Sequence, residues 1–256
     1  MNTNKSHAIC LLSVCPLRAS ENDAAEMVSQ LIFGDYVTIL TAGRPWVKVR
    51  NESDGYEGWM DFKQLKFIDE ATFQAGIKRK DPVVANTQLI VEGPYGEMTI
   101  MSAATLPFFD GLSCKIAEAE YVLKQPLIQA KKTDLFKIAQ SYLNTPYLWG
   151  GKSFFGIDCS GLVQNIFKTL QINAPRDASQ QVKFGTPIAW EKREAFDLVF
   201  FTTSSDKVTH VGVLLDKNSI LHAHGRVRID TCDEKGIFNA EQQKYTHSYH
   251  SIKRWI

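Results

Sequence analysis

The chain runs to 256 residues, enough for one large domain or for two to three small ones. Apolar residues make up 44% and charged residues 22%, as in an ordinary globular protein, and 29 basic against 28 acidic side chains leave a formal charge of +1. That balance gives no electrostatic case for nucleic acid or an anionic membrane as partner. No stretch approaches the roughly 20 apolar residues of a membrane span.

In chain order, "AICLLSVC" (Ala8 to Cys15) has a short apolar core and no small-x-small cleavage site, so it reads as a first β-strand rather than a leader. "YVTIL", "WVKV" and "GWM" are β-rich runs broken by the turn-forming "TAGRP" and "NESDG". Short strands at such spacing predict a small barrel over residues 1–70. A second, less regular β segment follows over 71–127, with "TQLIV", "EMTIMSA" and "YVLK" as strands and "LPFFDG" as a turn. The polar "KQPLIQAKKTD" is a linker. After it, Leu135, Ile138, Ala139 and Tyr142 share one face of a helix for which Thr133 is the expected cap. "SGLVQNIFKTL" repeats the helical period, and "DLVFF", "THVGVLLD", "SILHAHG" and "RVRI" follow as strands. Residues 128–256 therefore read as an α+β domain.

The five cysteines (Cys10, Cys15, Cys114, Cys159, Cys232) are odd in number and contain no C-x-x-C pair. This argues against a disulfide framework or a thiolate zinc site, and for reduced thiols in a cytoplasmic setting. One of them has a chemical address. Cys159 follows Asp158, an N-cap residue, and opens a helix whose apolar face begins at Leu162. The helix dipole and the free N–H groups there favour thiolate, the reactive form, although a buried structural thiol at a helix start is also possible. A thiolate nucleophile needs an imidazole. His7, His247 and His250 lie in polar surroundings and read as surface residues. His210 opens a strand on which His210, Gly212 and Leu214 share a face, Gly212 leaving room beside the ring. His222 and His224 share a face of the next strand, so either could orient His210.

The blocks "YLWGG", "DCSGLV", "PRDASQQ", "THVGVLL" and "LHAHG" occur in that order in the last 125 or so residues. They resemble the NlpC/P60 family of papain-like cysteine peptidases, while "PLRAS", "SQLIFGD" and "GYEGW" resemble bacterial SH3 modules. The whole is similar to the branch of γ-D-glutamyl-L-diamino acid endopeptidases. The resemblance implies a papain-like catalytic domain preceded by two small SH3-like β-barrels. It implies Cys159 as nucleophile, His210 as base and His222 as the orienting third member, with His224 a bystander. The Cys159 N–H and the Tyr147 hydroxyl would stabilise the oxyanion. Asp158 and Ser160 would bind the D-glutamyl portion, Trp149, Gly150 and Gly151 would shape the approach, and Arg176 would be structural. The free amine of L-Ala would be read by Asp177 together with Asp35 and Tyr56 of the first module, Glu57 being the runner-up for Asp35.

The expected activity is hydrolysis of the γ-D-Glu to L-diamino acid bond in small murein-derived peptides, by a cytoplasmic monomer without cofactor or metal. An extracellular wall hydrolase of the same family, an amidase or acyl transferase on the same fold, and an inert wall-binding protein are the alternatives. A zinc site built from Cys159 and the H-x-H pair lacks a second cysteine and a carboxylate motif.

Overall fold

The computed structural model describes residues 6–202 and 207–256. The first seven strands are β1 (His7–Ile9), β2 (Val14–Arg18), β3 (Met27–Ile32), β4 (Tyr36–Thr41), β5 (Trp46–Asn51), β6 (Glu57–Asp61) and β7 (Lys66–Ile68). They form one antiparallel sheet in the order β3-β2-β6-β5-β4-β1-β7. Strict alternation puts Val47 and Val49 of β5 inside with Leu17, Leu31, Val37 and Met60. The stretch Ala8 to Cys15 is not one strand. β1 pairs with β4 and β7, whereas β2 pairs with β3 and β6, so the chain turns between Ile9 and Val14 to change neighbours.

A helix the sequence reading missed, α1 (Glu70–Lys78), straddles the expected 70/71 boundary and is capped by Asp69, which accepts from the Thr72 N–H at 2.7 Å. A four-stranded antiparallel sheet follows, made of β8 (Gln88–Gly93), β9 (Gly96–Met101), β10 (Ser113–Ile116) and β11 (Ala119–Leu123). Its Leu89, Val91, Ile100 and Tyr121 pack with Ile9, Phe33, Tyr36 and Phe73, so this sheet and the first share an apolar cluster.

In the C-terminal part, α2 (Leu135–Ser141) buries the four residues expected of it, Tyr142 lying just past its end. Thr133 is not its cap: it lies in a 3₁₀ turn over Lys132–Asp134, and the N-cap position falls to Asp134. A short hairpin of β12 (Lys152–Ser153) and β13 (Gly156–Ile157) leads into α3 (Cys159–Lys168), followed by α4 (Ala178–Gln181) and β14 (Thr186–Ile188). The remaining strands are β15 (Leu198–Thr202), β16 (Val208–Leu214), β17 (Ser219–His224), β18 (Arg226–Asp233), β19 (Gly236–Asn239) and β20 (Lys244–Arg254). β20 pairs with β15 along one edge and with β19 along the other, closing these six strands into an antiparallel barrel. Val199, Phe201, Leu214, Ile220 and Ile252 fill it. Leu198, Phe200, Val211, Val213, Leu221 and Ala223 point outward to meet Leu162, Val163, Ile166 and Phe167 of α3.

All ten residues of α3 are buried, as befits a helix covered on every side. Its far side meets the first module. Arg176 Nε donates to Ser29 Oγ at 3.0 Å, Gln164 Nε2 to Asp54 Oδ2 at 3.1 Å, and Lys168 Nζ to Asp35 Oδ1 at 2.7 Å. The Lys152 N–H donates to Gln30 Oε1 at 2.7 Å, and Trp149 Nε1 to Glu26 Oε1 at 2.6 Å.

Candidate active site

Asp158 caps α3 with an extended backbone, its Oδ1 accepting from the Gly161 N–H at 2.7 Å. Cys159 thus stands at the first helical position, 7% exposed, with the N–H groups of Val211 and Ser160 directed at its sulfur. Burial pushes the thiol up to about 12, and the charge of Asp158 adds to this; the Val211 N–H, Arg176 and the Ser160 N–H pull the other way and are outweighed. A helix start favours thiolate only where the anion keeps some solvation.

Val211 is the neighbour of His210 on β16, so the strand whose N–H meets the sulfur also carries His210. His210 is 5% exposed and its Nε2 lies 2.9 Å from Nδ1 of His222, which is fully buried. Nε2 of His222 lies 3.0 Å from Asp230 Oδ2, and Arg228 Nη2 donates to Asp230 Oδ1 at 2.9 Å. His224 makes no hydrogen bond to His210; its ring stacks 6.2 Å from that of His222 and is half-buried. The space at Gly212 faces the barrel, not the ring: a Cβ there would lie 2.7 Å from Ile220 side-chain carbons.

His247 is the largest departure from the sequence reading. It is 8% exposed, not a surface residue, and its ring stacks on His210 with centroids 4.1 Å apart and planes at 22°. His7 is likewise half-buried, paired with Glu70 at 2.6 Å and stacked on Phe73; His250 is exposed. Burial lowers His210 well below the usual imidazole range, with further contributions from His247, His222 and His224. Burial likewise takes His247 down to about 3. Ring nitrogens of His210, His222 and His247 lie within 4.8 Å of one another. Two of those rings are nearly parallel and stacked, so their lone pairs do not converge as an ion would require, and His210 and His222 bond each other.

Tyr147 is 37% exposed and senses both Cys159 and Asp158. Burial, then those two charges, raises its hydroxyl to about 12, which keeps it a proton donor. Both oxygens of Asp158 are occupied. Oδ2 accepts from the Gly150 N–H at 2.9 Å and Arg176 Nη2 at 2.5 Å, and Oδ1 from Arg176 Nη1 at 3.0 Å and Ser160 Oγ at 3.2 Å as well as from Gly161. Asp158 is therefore a wall residue braced beside Cys159, and Arg176, 1% exposed, is the strut behind it.

Tyr56 and Asp177 do come together with this wall. Burial raises Tyr56, and the charges that act on it are Asp177, Arg176, Asp158 and Asp54. Asp177 is also raised by burial, opposed by Arg176 and reinforced by Asp158 and Asp54. Asp35 does not join them. Its carboxylate is buried beneath Lys168, at the end of α3 opposite Cys159, and accepts from the Ile32 N–H at 2.9 Å. Burial opposes its charge, but Lys168 and Lys152 prevail and hold it below the usual range. Nine residues of helix separate Lys168 from the nucleophile, a rise of about 13 Å. Glu57 is exposed and pairs with Lys48 at 2.8 Å. The carboxylate of the first module that does lie by Tyr56 and Asp177 is Asp54, which the sequence reading absorbed into the turn "NESDG". Its Oδ1 accepts from the Tyr56 N–H at 3.0 Å and its Oδ2 from Gln164 of α3.

Residues 144–248 match the NlpC/P60 family model, and residues 17–65 match the bacterial dipeptidyl-peptidase SH3 domain. A γ-D-glutamyl-L-lysine dipeptidyl-peptidase of Bacillus subtilis is 29% identical over 214 residues, covering 76% of this chain and 71% of that protein. One of the same name from Bacillus cereus is 29% identical over 231 residues, covering 78% and 68%. Among solved structures, an NlpC/P60 family protein from Bacillus cereus superposes with a TM-score of 0.77 at 21% identity, over 97% of this chain and 99% of that one. A cysteine at a helix start, two histidines in series on adjacent strands and these matches agree on an NlpC/P60 domain over residues 144–248 behind a bacterial dipeptidyl-peptidase SH3 domain over residues 17–65.

Proposed function

We propose that this NlpC/P60 cysteine peptidase cuts the γ-D-Glu to L-diamino acid bond of murein-derived peptides whose N-terminal L-Ala amine is free. The observation that carries the reading is the grouping of Asp54, Tyr56 and Asp177 around Asp158, the residue that caps the Cys159 helix. An ammonium removed from water needs such anionic partners. The three carboxylates there, Asp54, Asp158 and Asp177, are met by Arg176, with Lys207 acting on Asp177 and Lys152 on Asp54. The relatives' names support a γ-D-glutamyl substrate.

In this mechanism the Cys159 sulfur attacks the γ-carbonyl carbon of D-Glu while His210 takes the thiol proton. Starting from neutral thiol and neutral imidazole, proton transfer accompanies attack. The Cys159 N–H and the Tyr147 hydroxyl receive the oxyanion. His210 then returns the proton to the leaving amine of the diamino acid, leaving L-Ala-γ-D-Glu as a thioester, which water hydrolyses with His210 again as base. Ser160, whose hydroxyl donates to Asp158 Oδ1 and accepts from Arg176 Nη1, braces Asp158 rather than touching the D-glutamyl portion. A cleft closed by the first module favours soluble peptides over polymeric murein, and so a recycling role in the cytoplasm.

The test compares L-Ala-γ-D-Glu-meso-diaminopimelate and its L-lysine analogue with their N-acetylated forms by mass spectrometry. Cleavage of the free peptides alone is expected, at least a hundredfold faster. Equal cleavage of the acetylated peptides would mean an open cleft and favour a wall hydrolase.

A further inference from the structure

Asp230 stands outside every role assigned so far, yet it ends the chain of contacts that begins at His210. It sits on β18 diagonally across from His222, whose direct partner in the register is Arg228. Its side chain is 4% exposed. Oδ2 faces Nε2 of His222 at 3.0 Å and Nε of Arg228 at 2.8 Å, while Oδ1 accepts from Arg228 Nη2. Arg228 is anchored in turn by Glu241 at 2.9 Å.

We infer that Asp230 is a positioning residue that sets the tautomers of both histidines and so leaves His210 Nδ1 as the free base. The inference rests on the cysteine-peptidase reading of the site. An ionised carboxylate only accepts, so the nitrogen it faces, His222 Nε2, carries the hydrogen. A neutral His222 then has a bare Nδ1, which accepts. The nitrogen 2.9 Å away, His210 Nε2, must therefore be the donor. One lone pair remains on a neutral His210, at Nδ1, and this is the one that takes the Cys159 proton. Other charged or titratable groups pack around this line: His247 on β20, His224 on β17, and Arg228 with Glu241. Among the described residues, Asp230 is the acceptor at its end.

Asp230→Asn tests this with almost no change of shape. Arg228 lies against both carboxylate positions but hydrogen-bonds only through Nη2 to Oδ1; the single amide oxygen kept on Nη2 leaves the NH₂ facing His222 Nε2. A donor there favours the opposite tautomer of His222, with hydrogen on Nδ1. His210 Nε2 then becomes the acceptor, and its Nδ1 carries the hydrogen and cannot act as base. The expected result is a fall in kcat of about a hundredfold, with KM within threefold of wild type. Imidazole ¹⁵N NMR should read Nε2–H for His222 and His210 in the wild type and the inverted pair in the variant. Asp230→Glu, which remains acceptor-only, should recover most of the loss. Unchanged kcat in Asp230→Asn, or a loss of kcat with wild-type tautomers, would overturn the inference. So would Nδ1–H on His222 in the wild type, a measurement that stands even if a variant fails to fold. If Cys159→Ala remained active the peptidase reading would fall, while the NMR result would still judge the tautomers.

Discussion

Asp158 and Arg176 meet in two parallel contacts, 3.0 and 2.5 Å long, and the guanidinium continues to Ser29 of the first module at 3.0 Å. The residue that caps the nucleophile helix is thus tied, through one buried arginine, to a separate β-module. Removing the arginine strands a buried carboxylate. Arg176→Ala should lose roughly 3–5 kcal/mol of stability in urea unfolding, and activity with it. Arg176→Lys keeps the charge but not the fork, and should recover only part of either. A fully stable Arg176→Ala would show that the strut is dispensable.

The histidine cluster predicts a specific acid sensitivity. His247 falls from about 6.5 when unfolded to about 3 when folded, because burial disfavours its charge. Below pH 6.5 the unfolded chain therefore binds a proton that the folded one does not. The stability this neutral ring contributes is complete above the unfolded value and is lost as pH falls. Between pH 7 and 5 the loss from His247 alone is roughly 2 kcal/mol. His210 and His222 are lowered in the same direction and add to it. His247→Phe should keep the stack on His210 and flatten the pH dependence of the unfolding free energy by about one proton. An equal slope in the two proteins would contradict the assignment. The acid limb of kcat/KM should lie below pH 6.5, since burial keeps His210 neutral there.

The two aspartates of the first module should separate cleanly. Asp54→Asn weakens the amine pocket, so kcat/KM for the free tripeptide should fall at least tenfold while unfolding stays within about 1 kcal/mol of wild type. Asp35→Asn leaves Lys168 buried without its anion and should cost several kcal/mol of stability, with activity per folded molecule largely kept. The reverse pattern would restore Asp35 to the cleft.

That pair also shows what a sequence can and cannot disclose. Cys159, Asp158 and the apolar face of α3 are local patterns, and the helix forms where they predict. His210 and His222 become neighbours through one hairpin, also a local event. Asp35 and Asp54 are both acidic residues beside turns, and only the docking of α3 decides which one meets Lys168 and which meets Gln164. His247 is harder still. It reaches His210 because β20 closes the barrel beside β15, a pairing across some 45 residues that the polar run "KYTHSYH" does not announce. Asp230 needed the β17–β18 register before its carboxylate could be set against His222.

Gly150 offers a direct test of whether the first module shapes the cleft. Its backbone sits at φ +76°, and a Cβ there would lie 2.4 Å from the Met27 carbonyl oxygen. Its N–H also supports Asp158, and the adjacent Trp149 holds Glu26. Gly150→Ala therefore meets two penalties. The left-handed backbone costs about 1–2 kcal/mol, and the methyl group pushes against β3, the strand that carries Met27 and Ser29. The chain can relieve that pressure by moving the module away from the cleft wall, which would carry Asp54 and Tyr56 off the amine. The variant should still fold, with a lower unfolding midpoint, and kcat/KM for the free tripeptide should fall tenfold or more. Activity on the N-acetylated peptide should change little, so the preference for the free amine shrinks. A folded Gly150→Ala protein that kept the wild-type ratio of the two rates would show that the module's position does not set that preference.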